Sequence, residues 1–170
     1  MPTIPIDILH HILEHVNEAD LLTICLLNKV CCSCSQDVLY RDIRVHKHRQ
    51  TVQVCDTLAR STHLATRVRS FKIKSKGAVE NYERDLQKSL ENMTYLRHLR
   101  LHYLKDNFSG CTFRLVSFAC DCFGLEPLLQ FLSSQPSLTD VALGVFMTDS
   151  SPEFGATFLP NLTRITGNLS

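Results

Sequence analysis

The chain has 170 residues, 44% of them hydrophobic, and a formal net charge of +1. That balance excludes a mainly disordered polymer and allows one compact domain or a small module joined to a larger one. The apolar runs fall well short of the roughly 20 residues that a membrane-crossing helix needs, and Met1-Pro2-Thr3-Ile4-Pro5 has neither a basic n-region nor an apolar h-region. The eight cysteines are therefore expected as reduced thiols in an intracellular protein. The sequons at Asn92, Asn107 and Asn161 are read as chance matches.

Charge is unevenly spread. Residues 1–40 carry five acids against one lysine, whereas residues 41–76 carry ten Lys or Arg against Asp42 and Asp56. The acidic part is helical in pattern. Pro5 suits a first helical turn and Asp7 complements the helix dipole, so a first helix is predicted from near Pro5, burying Ile8, Leu9, Ile12, Leu13 and Val16. Asn17-Glu18-Ala19-Asp20 reads as a turn with Asp20 as N-cap. A second helix then runs to about Lys29 and presents Leu21, Leu22, Ile24, Cys25, Leu26 and Leu27. A third is predicted from about Cys32 to Tyr40. Three helices this small cannot enclose so wide an apolar stripe, and the surplus calls for a second protein.

Pro5, Ile8-Leu9, Ile12-Leu13, Asp20-Leu21-Leu22, Leu26, Lys29-Val30 and Leu39-Tyr40-Arg41-Asp42-Ile43 resemble an F-box over residues 4–46. The resemblance implies a three-helix motif that docks on the Skp-type adaptor of a cullin-RING ubiquitin ligase. Carried over by position, the adaptor-facing residues are Pro5, Ile8, Leu9, Ile12, Leu13, Leu21, Leu22 and Leu26. Cys31-Cys32-Ser33-Cys34 stands near the place where many F-boxes carry a tryptophan, and this chain has no Trp.

Over residues 50–170 the pattern changes. An apolar-x-x-apolar-x-apolar frame occurs at Val68-Phe71-Ile73, Leu96-Leu99-Leu101, Leu115-Phe118-Cys120 and Leu138-Val141-Leu143, and half-formed at Leu162-Ile165-Gly167, with spacings of 28, 19, 23 and 24 residues. Helical patterns lie between the frames at Thr51–Leu64, Ala78–Met93 and Leu125–Ser134. This is similar to a leucine-rich repeat, in which each unit gives one strand to a parallel sheet. The usual asparagine after the frame is replaced by Lys76, Leu104, Phe123 and Phe146, so an irregular α/β solenoid with short parallel strands is expected. No polar cap is visible in residues 159–170, so the array is expected to be incomplete there. The stretch Phe113–Leu138 is similar to F-box and repeat proteins of filamentous fungi.

Alternation then predicts an outward face bearing Ser70, Lys72 and Lys74, then His98, Arg100 and His102, then Ser117, Ala119 and Asp121, then Asp140, Ala142 and Gly144. The first two strands are basic. Lys72, Lys74, His98, Arg100 and His102 are the candidate substrate-binding residues, suited to an acidic or phosphorylated segment of a target. Other chemistries find little support. His11 and His15 lie one helical turn apart, but no paired Cys-x-x-Cys knuckles accompany them, and no nucleophile signature or phosphate-binding glycine loop occurs. No metal or cofactor is expected. The belt from Arg41 to Lys76 leaves nucleic-acid binding as a minor alternative, without a recognised module.

The residues and the resemblance together give a non-enzymatic substrate receptor of a Skp-cullin-F-box ligase, with the repeat region holding a protein target. An F-box-like scaffold that never joins a ligase is the alternative.

Overall fold

The computed structural model describes residues 4–74, 82–104, 110–123, 125–146, 161 and 163–167. Two asparagines set the boundaries of the opening helices. Asn17 accepts a hydrogen bond from the Asp20 amide at 2.9 Å and donates through Nδ2 to the Asp20 carboxylate at 2.6 Å, a reciprocal cap that starts a helix at Glu18. Asn28, with φ −165°, accepts from the Cys31 amide and starts the next helix at Lys29. The elements are therefore α1 (Ile6–Leu13), α2 (Glu18–Ile24) and α3 (Lys29–Leu39). Two predictions are corrected: Asn17 rather than Asp20 is the N-cap of α2, and the second helix stops at Ile24 because Asn28 is committed to capping the third.

The chain continues as β1 (Asp42–Val45), α4 (His48–Arg60), α5 (Thr62–Ala65), β2 (Ser70–Ile73), α6 (Glu83–Asn92), β3 (His98–Leu104), β4 (Ser117–Phe123), α7 (Leu125–Ser133), β5 (Asp140–Phe146) and β6 (Arg164–Gly167). The fold is mixed α/β. The six strands form one sheet in the order β1-β2-β3-β4-β5-β6, with every pairing parallel. Each strand thus lies beside its predecessor in sequence. Val79 and residues 78–81 of the predicted helix, and Leu162 of the last frame, lie outside the described residues.

All twelve residues of the four complete frames are buried, from Val68 at 0% exposed to Leu143 at 8%. The first position of each frame precedes its strand by two residues, the other two lie within it, and all three join a single core. Register aligns them: Ile43, Phe71, Leu99, Phe118 and Val141 form one row across the sheet, Val45 stands opposite Ile73, and Leu101, Cys120 and Leu143 form a further row. Leu58, Leu86, Leu90, Leu128, Phe131 and Leu132 close this core from the helix side. The 19-residue interval between the frames at Leu96 and Leu115 is the shortest. In its described part, Gly110–Val116, the return to β4 is irregular and buries Phe113 and Leu115 instead of a helix face.

One strand was not legible in the sequence. β1 belongs to the sheet although the segment had been grouped with the opening helices, and Tyr40-x-x-Ile43-x-Val45 satisfies the same frame, 28 residues ahead of Val68. Leu13, Leu21 and Cys34 form a second, separate small core among α1, α2 and α3. The join between the two regions is polar. Arg67 pairs with Asp37 and donates to the Ser33 carbonyl at 3.0 Å, and Arg41 pairs with Glu14.

Candidate functional site

Two surfaces carry the sequence-predicted residues. The first is the outside of the three opening helices. Among the described residues, the large exposed apolar side chains are Ile4, Ile6, Ile8, Ile12, Leu22, Leu26, Leu27, Val30 and Tyr95, so all but the last fall within residues 4–30. Such concentration on so short a stretch differs from the scattered apolar exposure of an ordinary exterior. α1 and α2 both pack on α3. Ile8 and Ile12, one turn apart, share a face of α1 that this packing leaves uncovered.

The predicted adaptor-facing set divides. Pro5, Ile8, Ile12, Leu22 and Leu26 are exposed, the last at 85%, and Leu9 is half-buried. Leu13 and Leu21 are corrected: at 1% and 3% exposed they form the inner core of the three helices with Cys34, and cannot reach a partner. The prediction that α1 buries Ile8 and Ile12 is corrected in the opposite sense. A stripe wider than one contact face forces this choice, and the bulk of α3 takes only the Leu9, Leu13 and Val16 side.

The second surface is the sheet face opposite the helices. There Arg44, Lys72 and Arg100 stand in one row on β1, β2 and β3, in direct register. With His46, Lys74, His98, Ser117 and Ala119 they line an open cavity of about 330 Å³. Of the predicted set, Lys72, Lys74, His98 and Arg100 are brought together here. His102 lies one step along β3 and turns to Asp121, whose carboxylate takes its Nδ1 at 3.2 Å and the Arg100 Nη2 at 3.1 Å. His98 Nδ1 is 2.8 Å from the Ser117 hydroxyl. Ser70, predicted outward, is corrected: it is 3% exposed, between the longer Asp42 and His98 on either side. Arg44 and His46 were missed by sequence reasoning, and the overlooked frame at Tyr40 is the signal that would have found them.

Beyond these surfaces, a groove of about 730 Å³ lies between the opening helices, β1 and α4, lined by Val16, Tyr40, Gln53 and Val54 among others. It gathers no convergent set of charges. Arg69 stacks on the exposed Tyr95 ring at 4.8 Å, and its guanidinium is held below its ordinary pKa by burial and by the neighbouring Arg97. His11 and His15 pack edge to face at 5.1 Å, and His11 leans on Glu14. Among the described residues, no three His, Cys, Asp or Glu side chains gather closely enough to hold a metal ion. Cys25, Cys31, Cys32, Cys34, Cys55, Cys111 and Cys120 are free thiols, and burial pushes those of Cys55 and Cys111 up to about 12. Among the described residues, no helix is long and apolar enough to cross a membrane. The sequence matches no protein-family model and no curated protein.

Proposed function

We propose that the chain is a non-enzymatic substrate receptor of the Skp-cullin-F-box type. In this reading α1, α2 and α3 are an F-box that docks a Skp-type adaptor through Ile8, Ile12, Leu22 and Leu26, with Pro5 and Leu9 at the margin. The parallel sheet is an irregular leucine-rich-repeat array whose open face holds a protein target. Catalysis then resides in the partners, and tethering makes ubiquitin transfer to a target lysine nearly intramolecular.

The observation that carries this reading is the cluster of exposed aliphatic side chains in residues 4–30, beside a core of only three fully buried apolar residues. A few residues usually supply most of the energy of a protein interface, and each large aliphatic side chain taken fully out of water contributes about 1.5–3 kcal/mol. The direct test is co-purification of the full chain with a Skp-type adaptor, compared with an Ile12→Asp, Leu22→Asp double variant. Both positions are about half exposed or more, so the variant keeps its fold, checked by circular dichroism and melting. Capture is expected to fall by at least about tenfold, the scale of one lost hot-spot residue. Undiminished capture by the double variant would remove these helices as the docking surface. Absence of capture by the native chain would favour the scaffold outside a ligase.

A further inference from the structure

We propose that the outer edge of β1 takes up an extended segment of a partner protein as an added antiparallel strand, seated in the groove between the opening helices and α4. This surface is separate from the adaptor-facing residues and from the open face of the sheet.

The starting point is main-chain hydrogen bonding. β1 stands first in the sheet order and, among the described residues, pairs with β2 alone. The Arg41 and Val45 carbonyls accept from the Ser70 and Lys74 amides at 3.0 and 2.9 Å, so these positions, and Ile43 between them, aim at β2. Asp42 and Arg44 then turn two N–H and two C=O groups to the opposite edge, where no described residue bonds to them. The groove of about 730 Å³ runs along this edge. All four residues of β1 line it, together with Val16 and Glu18 of the opening region and Val54 of α4. Free edges of this kind are the template for strand addition, in which the main chain supplies affinity and alternate side chains supply selectivity.

Charge and shape select the occupant. Asp42 and Arg44 carry opposite signs on the same face of β1, and neither has an ion pair among the described residues. An antiparallel segment with an acid opposite Arg44 and a lysine or arginine opposite Asp42 matches both, because opposite charges facing one another across strands stabilise a pair. In that register the two charged residues of the segment exchange both main-chain bonds with Arg44 and Asp42, which satisfies all four free groups. Between the charges, an aliphatic residue meets Ile43. Ile43 is half-buried, whereas Phe71, Leu99, Phe118 and Val141 of its row are at most 3% exposed, so the apolar row is open at this end. A second copy of the chain offers the same charges, Asp42 against Arg44. Its own β1 also lies within a groove, however, and two concave edges do not meet.

The experiment is a fluorescence-anisotropy titration of the full chain with a labelled peptide that carries Val-Glu-Val-Lys-Val between Ser-Gly flanks. Its Glu is set against Arg44, its central Val against Ile43 and its Lys against Asp42. Binding is expected with a Kd below about 1 mM. Methylating the peptide's Glu and Lys amide nitrogens, which face β1, should weaken binding at least about tenfold. Methylating the amide of the central Val, which faces away, should leave it unchanged. Asp42→Arg with Arg44→Asp, both at exposed positions, should reverse the preference in favour of Val-Lys-Val-Glu-Val, with the fold checked by circular dichroism. Thr57→Arg, at an exposed position on the groove lining, should abolish binding of the first peptide. Failure to bind below about 1 mM overturns the proposal, as does binding that is indifferent to the Glu and Lys methyl groups, to the charge exchange or to Thr57→Arg. A dimer in sedimentation velocity that the peptide fails to dissociate overturns it in favour of a second copy.

Discussion

The opening helices and the sheet region spend their apolar residues in opposite ways. Among the described residues, twenty-four buried apolar side chains form one continuous cluster around the sheet, whereas the three helices bury only Leu13, Leu21 and Cys34 fully among themselves. Residues 4–30, the helices with their flanks, nonetheless expose eight large aliphatic side chains, a density found nowhere else among the described residues. The sheet region is thus self-sufficient in its packing, and its unusual surface is charged. The helical region is thin inside and apolar outside. The proposed partner would add its contacts where the chain's own core is weakest.

The contrast can be broken first at the sheet. Phe118 is 1% exposed and its ring lies 5.0 Å from that of Phe131, so Phe118→Ala is expected to cost about 3–5 kcal/mol in chemical denaturation. A loss below about 1 kcal/mol would mean that the cluster is loosely packed. Gly144→Ala comes next. A Cβ at this position would run into the Asp121 carbonyl on the neighbouring strand, so the backbone must shift. The expected cost is about 1–3 kcal/mol, read in the same denaturation assay.

In the helices the effects are smaller. Asn28→Ala removes the acceptor for the Cys31 amide and should lower stability by about 1 kcal/mol, while Asn28→Ser restores most of it. The smallest effect concerns pH. The hydrogen bond and charge of Arg41 hold the exposed Glu14 carboxyl below its ordinary value of 4.5. A lowered folded-state pKa contributes stability that is present above 4.5 and lost as pH falls through the folded value. Glu14→Gln should therefore lower the melting temperature slightly near neutrality, leave it unchanged well below the folded value, and so flatten the acid side of the profile.

The sheet was largely legible in the sequence because burial imposes a strict pattern. Each unit must place three apolar residues at fixed spacing to enter the core, and Val68, Leu96, Leu115 and Leu138 each open such a frame. β1 escaped because Arg44 and His46 interrupt its apolar residues and because Leu39–Ile43 reads as the end of the F-box-like segment. The division of the helical stripe was beyond reach for a different reason. Ile8, Leu9, Ile12 and Leu13 cover more than one contact face, and periodicity alone does not tell which half turns inward. Only the position of α3 decides that Leu13 is interior and Ile12 exterior. The cationic row needed register as well as alternation, since Lys72 and Arg100 gain a third member only when β1 is aligned with β2.

The sequential order of the sheet reaches into how the protein is made. Every strand pairs with the one that precedes it along the chain, so no partner has to be awaited from a distant segment. Paired positions on neighbouring strands are 19 to 28 residues apart, as in Asp42 with Ser70 and His98 with Ser117, so each closure spans a single unit. A stack in which each unit leans only on its neighbours can start from any unit and extend one at a time.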